Sequence, residues 1–292
     1  MSKLSEADLI INPDGSIYHL NLQPGDLADT VITVGDPDRI SSVTKYFDRI
    51  ELRKGKREFL TQTGYIGSKR ITVISTGIGT DNIDIVFNEL DALVNIDFET
   101  RLVKDQLTSL KLIRIGTSGA IQSDLPLGTI LASSHGLGMD SLMHYYNQQS
   151  TLEDSVILRH IKKHFADVQG IEPYLTSADA GLLATIGRGM VQGITATAPG
   201  FYGPQGRQVR AANGVPDLIG MLNSFGHQNL RITNLEMETA GIYALAKLLG
   251  HQAISINAIL ASRVNFQFST QPDVIVDQAI KLVLERIVQL PD

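Results

Sequence analysis

The sequence predicts an α/β fold in a single domain, with a mixed central sheet largely covered by helices. Two observations carry this. Seven short β-branched runs alternate with longer stretches of helical periodicity, and no linker, low-complexity block or fixed-period repeat interrupts them. A length of 292 residues permits one large domain or two smaller ones. The unbroken alternation favours one, spanning residues 1–292.

The strands read in order as VITV (31–34), ITVIST (71–76), KLIRI (111–115), TILASS (129–134), ITATA (194–198), RITNLEM (231–237) and AISINAIL (253–260). Short β-branched runs of this kind suit a covered sheet. After the first, GDPDR supplies a glycine turn, with Asp36 as a helix cap and Pro37 as the first helical residue. IDIVFNELDALVNI and the closing VIVDQAIKLVLERIV repeat apolar residues at helical spacing. In STLEDSVILRHIKKHF, Ser150 and Glu153 stand at capping-box spacing, and acids lead while lysines and histidines trail, as a helix dipole prefers. A peripheral helix is expected there. Across residues 231–250 a strand runs into a helix, and Glu236 and Glu238 flank Met237 at the junction.

Composition narrows the function. A net charge of −6 leaves no basic field for nucleic acid or an anionic membrane, so a small ligand is expected. No apolar run approaches the roughly 20 residues that cross a bilayer, and the start MSKLSEADLI lacks the basic-then-apolar order of a secretory signal, so the cytosol is expected. With no cysteine, disulfides, thiolate metal sites and cysteine nucleophiles are excluded.

Two segments could hold an anion. At GDPDR, backbone N–H groups at a helix start would face it, with Arg39 beside them. KLIRIGTSGAI buries Arg114 in an apolar strand that ends in a glycine-flanked loop, whose successive N–H groups could cradle a phosphate. A buried arginine needs an anionic partner, either a carboxylate of the protein or a bound ligand. Other motifs fail. GIGTDN has Asn82 where a dinucleotide fingerprint needs its third glycine, and GRGMVQG misses the spacing. There is no GxxxxGK[ST], and GTSGA lacks the GxSxG elbow of an esterase. His160 and His164 are one helical turn apart, but no HExxH surrounds them, and a solvated helix end is the better reading.

Taken together, GDPDR (35–39), KREF (56–59), STGIG (75–79), RIGTSGAI (114–121), FYGPQGR (201–207) and NLEMET (234–239) resemble, in order, the motifs of the nucleoside phosphorylase-I family. The resemblance covers about residues 18–265, nearly the whole chain. It implies one α/β domain with a twisted, barrel-like central sheet flanked by helices, and a site shared between neighbouring subunits. It also implies reversible phosphorolysis: uridine plus phosphate gives uracil plus ribose 1-phosphate.

Residue by residue, the resemblance assigns phosphate to Gly35, Arg39, Arg114 and Thr117, with Arg57 entering from a neighbouring subunit. Ribose falls to Thr117, Met237 and Glu238, and to His19 of a neighbour. Glu236 either helps hold the sugar or pairs with a nearby cation. The base would meet Phe201, Gln205, Arg207, Arg263, Ser118 and Gly119, since an amide offers both a donor and an acceptor to the imide edge of uracil. Arg114, Gln205, Arg207 and Glu238 would carry the catalysis. Where purine-cleaving relatives place a Ser-Asp pair, this chain has Ser262 and Arg263, which favours a pyrimidine.

No metal or organic cofactor is implied, phosphate being a substrate. Some relatives hold a monovalent cation near positions matching Glu58, Ile78 and Asn82, and here Asn82 replaces the family's serine. The stretch NIDFETRLVKDQLTS leaves dimer and hexamer both open. A purine phosphorylase, a nucleosidase of the same fold and a non-catalytic nucleoside-binding protein are the alternatives.

Overall fold

The computed structural model describes residues 3–148, 150–166, 168 and 170–291. The chain begins with β1 (Thr30–Val34), α1 (Arg39–Thr44), β2 (Arg49–Lys56), β3 (Phe59–Ile66), β4 (Lys69–Ser75) and α2 (Thr80–Asn95). A small hairpin, β5 (Ile96–Asp97) and β6 (Leu102–Val103), leads to β7 (Lys111–Ala120), β8 (Ile130–Gly138), α3 (Leu152–His164), β9 (Tyr174–Ser177), α4 (Ala180–Thr185) and β10 (Val191–Thr197). The remainder is α5 (Leu218–Ser224), β11 (Gly226–His227), β12 (Leu230–Glu236), α6 (Thr239–Leu249), β13 (Gln252–Ser262), β14 (Gln267–Phe268) and α7 (Pro272–Val288). All seven expected strands are present, and so are the five expected helices, α1, α2, α3, α6 and α7.

Five strands close on themselves. β7 runs parallel to β13, β13 antiparallel to β8, β8 parallel to β10 and β10 parallel to β12, and β12 returns antiparallel to β7. The expected mixed, barrel-like sheet is therefore observed. An open wing continues from β7 through β1 and β4 to the hairpin of β3 and β2. Register slips at Ile259/Ala261 and around Gly193–Thr195, which fits the sharp bending a small closed sheet needs. At Gly136 a Cβ would come within 2.6 Å of the Ala240 Cα, so only glycine lets α6 lie this close to β8.

Helices cover the sheet through one apolar stripe each. On α2, Ile83, Val86, Phe87, Leu90 and Leu93 are buried, and they pack with Tyr243 and Leu245 of α6. On the other face, Ala279, Ile280, Val283 and Ile287 of α7 join Val43 of α1 against Ile32 and Ile113. The peripheral α3 buries Ile157 and Ile161 in a third cluster beside β10 and β12 and packs Leu158 against it.

Three local expectations are corrected. GTSG does not form a loop: β13 pairs Ala258 with Thr117, Ile259 with Ser118 and Ala261 with Gly119, and this pairing carries β7 on to Ala120. The first helix starts at Arg39 rather than Pro37, because Asp36 accepts the Asp38 N–H (2.9 Å) in a turn that precedes it. In α3 the cap is Thr151, not Ser150: the Thr151 hydroxyl accepts the Asp154 N–H at 3.0 Å. The acidic start and basic end of that helix are as expected.

Candidate active site

A cavity of 760 Å³ opens where β7, β12 and β13 meet the turns after β1 and β4. Its floor is Arg114. The side chain leaves β7 beside Gly116, where any Cβ would overlap the guanidinium, so glycine makes the room for it. Arg114 donates to Glu238 Oε2 at 2.5 Å and to Asn257 Oδ1 at 2.9 Å, and Glu236 Oε2 lies 3.1 Å away. Protein carboxylates thus meet the buried cation, and the arginine still faces the cavity. Burial pulls its pKa down, and Glu236 and Glu238 more than reverse this, leaving it above its usual value.

The two glutamates at the strand-to-helix junction do different work. Glu236 accepts the Glu238 N–H (3.0 Å), the Thr239 N–H (3.0 Å) and the Thr197 hydroxyl (2.8 Å), so it seals the start of α6. Burial raises its pKa above the usual carboxylate value, against the pull of Arg114. Glu238 accepts the Gly79 N–H at 2.9 Å with its other oxygen, tying the STGIG turn to the junction. A carboxylate has about four lone-pair sites, so Glu238 can still receive hydroxyl donors from the cavity. Met237 lines the wall beside it.

Arg39 faces Arg114 across the cavity, with Gly35, Asp36 and Pro37 around it. It is half-buried, and its side chain has no hydrogen bond or ion pair among the described residues. Burial and then the charge of Arg114 hold its pKa below the ordinary value. A cation desolvated near a second cation, with no anion of its own, favours binding one. Thr117, Ser118 and Gly119 line the same space, and the Ser118 hydroxyl accepts from Asn234 at 2.9 Å.

A short 3-10 turn, Gly203–Gln205, builds the opposite end. Gln205 is buried, and Arg207 donates to its side-chain oxygen at 2.5 Å and to the Phe201 carbonyl at 2.8 Å while stacking on the Phe201 ring. Arg263 props the turn by donating to the Gln205 carbonyl at 2.9 Å. Burial and then Arg263 lower the Arg207 pKa to about 10. Phe201, Gln205 and Arg207 line the cavity; Arg263 stands behind it.

His19 and Arg57 do not line this cavity. They lie together elsewhere on the chain: the Arg57 guanidinium is 6.0 Å from the Tyr18 ring, and the His19 ring packs edge-on to Phe59. His160 stacks on His227, and His164 pairs with the Met221 carbonyl. Sequence reasoning missed Asn257, a buried amide that bonds Arg114, Ser133 and Ser255. Its signal was an amide inside the otherwise mostly apolar AISINAIL.

Paired acids over an arginine floor, a second unpartnered arginine and an amide-bearing recess define a site for an anion beside a polar organic ligand. The sequence pattern of the phosphorylase superfamily matches residues 29–287, and the chain belongs to that family. A solved nucleoside phosphorylase from Trypanosoma brucei, described as showing uridine phosphorylase activity, is similar with a TM-score of 0.88 and 31% identity, covering 97% of this chain and 100% of that one. The uridine phosphorylase of Thermococcus kodakarensis is 27% identical over 98% of this chain and 93% of its own length. A DeoD-type purine nucleoside phosphorylase of Chromobacterium violaceum is 26% identical over 90% of this chain and 98% of its own.

Proposed function

We propose that the protein catalyses the reversible phosphorolysis of uridine to uracil and ribose 1-phosphate. The observation that carries this is Arg39, a half-buried cation without a partner that faces the Arg114–Glu238 pair. Phosphate sits between Arg39 and Arg114 against Gly35 and Thr117, and Glu238 accepts the ribose hydroxyls. Each charge-assisted hydrogen bond contributes about 1.5–3 kcal/mol.

A phosphate oxygen forms a bond to the anomeric carbon while the bond to the base nitrogen lengthens. The electron pair leaves with the uracil ring, and no covalent enzyme intermediate is needed. Gln205 and Arg207 stabilise the charge growing on the base, and phosphate stabilises the cationic sugar. Ser262 and Arg263 occupy the sequence positions where purine-cleaving relatives carry a Ser-Asp pair, so no aspartate stands there to protonate a purine ring, which favours a pyrimidine.

His19 and Arg57 serve a neighbouring subunit's cavity, so the minimal active unit is a homodimer, with a hexamer compatible. Support comes from neither side chain lining the cavity of its own chain, although Glu58 beside Arg57 does. A monovalent cation fits poorly, because Asn82 turns its amide nitrogen to the Ile78 carbonyl (3.4 Å), an oxygen such an ion would need. The lack of cysteine and the acidic charge suit a cytosolic enzyme, and among the described residues no helix is long and apolar enough to cross a membrane.

Loss of uridine absorbance with and without phosphate tests the reading. Phosphate-dependent turnover of uridine over inosine supports it. Hydrolysis without phosphate, preference for inosine, or binding of uracil and ribose 1-phosphate without synthesis each replaces it with one of the alternatives.

A further inference from the structure

We infer that Glu89 is a positioning residue for the reaction, holding the His19 imidazole so that Nε2 is presented outward to a substrate hydroxyl. Glu89 projects from α2, and its carboxylate is saturated by one short segment. It accepts the His19 N–H at 3.0 Å, the Leu20 N–H at 2.9 Å and the His19 Nδ1 at 2.6 Å. Leu20 is wholly buried, which anchors the segment from its other side. A carboxylate only accepts, so Nδ1 carries the proton and Nε2 of the neutral ring keeps its lone pair.

The rest of the surroundings leave that nitrogen available. Tyr18 and Phe59 pack edge-on to the ring with centroids at 4.7 and 6.5 Å, and neither offers a hydrogen bond to it. Nε2 has no partner among the described residues, and the side chain is 24% exposed. A partly exposed histidine whose ring is bonded to the same carboxylate that holds its backbone has given up rotamer freedom that a solvated ring would keep. That cost is offset when the ring must meet a ligand in one orientation. Tyr18 also receives Lys56 Nζ on its carbonyl (2.7 Å), which ties the segment to the turn bearing Arg57. One unit therefore carries both residues.

This rests on the reading that His19 meets the ribose 5′-hydroxyl bound by a neighbouring subunit. The test compares kcat/KM for uridine and for 5′-deoxyuridine, which lacks that hydroxyl, in the wild type, His19→Ala, Glu89→Ala and the double variant, with thermal melting measured alongside. Wild type should prefer uridine by roughly two- to tenfold, the worth of one hydrogen bond. Both single variants should lose the preference, and the double variant should resemble His19→Ala. A merely structural Glu89 would lower both substrates equally and leave the ratio unchanged. If His19→Ala abolishes the ratio and Glu89→Ala retains it, the positioning role is overturned. If His19→Ala itself retains the ratio, the assignment of His19 falls, and Glu89 with it.

Discussion

Arg114 donates to Glu238 across 2.5 Å at the cavity floor, joining the middle of β7 to the first turn of α6, with side chains only 6% and 7% exposed. The pair ties the fold to the site. The same guanidinium that neutralises a buried acid is the one proposed to meet phosphate, so stability and turnover would share atoms.

Arg114→Ala leaves Glu236 and Glu238 buried without their cation. Breaking a buried pair from one side costs about 3–5 kcal/mol, so urea unfolding should shift by that amount and uridine turnover should collapse. Arg114→Met combined with Glu238→Gln should recover part of the stability and none of the activity. A double variant as unstable as the single would show that the pair is not the cause.

Gly116→Ala puts a methyl where the Arg114 guanidinium lies. Overpacking of this kind costs about 1–3 kcal/mol, and here the side chain displaced is the proposed phosphate ligand. The KM for phosphate should rise more than the KM for uridine. Unchanged kinetics would mean that Arg114 need not occupy this position.

Arg207 loses its proton at about pH 10, lowered by burial and then by Arg263. Below that pH it is charged and can stabilise the departing base; above it the charge is gone and kcat should fall. Arg263→Ala removes the repelling charge, so the alkaline limb should move to higher pH. Ionisation of the substrate's imide is common to both proteins and cancels in the difference. An unmoved limb would sink the assignment.

Asp277 lies on α7 and accepts from Lys45, Tyr46 and Lys281, which hold its pKa well below the carboxylate norm, Lys45 most strongly. A depressed folded value adds stability that is complete above the unfolded pKa of about 3.9 and lost as pH falls through the folded value. Asp277→Asn should therefore melt lower at neutral pH, and its gap from wild type should close towards strong acid. A gap independent of pH would point to packing instead. The carboxylate is partly exposed and its lysine partners more so, so the effect should be small.

Much of this was legible because burial and chemistry conflict openly in the sequence. Arg114 within KLIRI and two glutamates at the end of RITNLEM are polar residues in apolar runs, and the structure brings them into contact. What stayed hidden depended on partners far along the chain. GTSG reads as a turn from its glycines, but β13 recruits it into the sheet. Asp36 and Ser150 each miss the observed cap by one or two residues, since neighbouring Asp38 and Thr151 suit the position as well. Glu236 could not be separated from Glu238 by type or spacing; only the N–H groups of α6 distinguish them.

Closure of the ring depends on Leu235 meeting Gly119, positions more than a hundred residues apart in a chain made from its N-terminus. Until that late segment emerges during synthesis, β7 carries a lone cation that resists being enclosed. β13, which lies between β7 and β8, follows later still, so the ring can close only once residues 252–262 have been made.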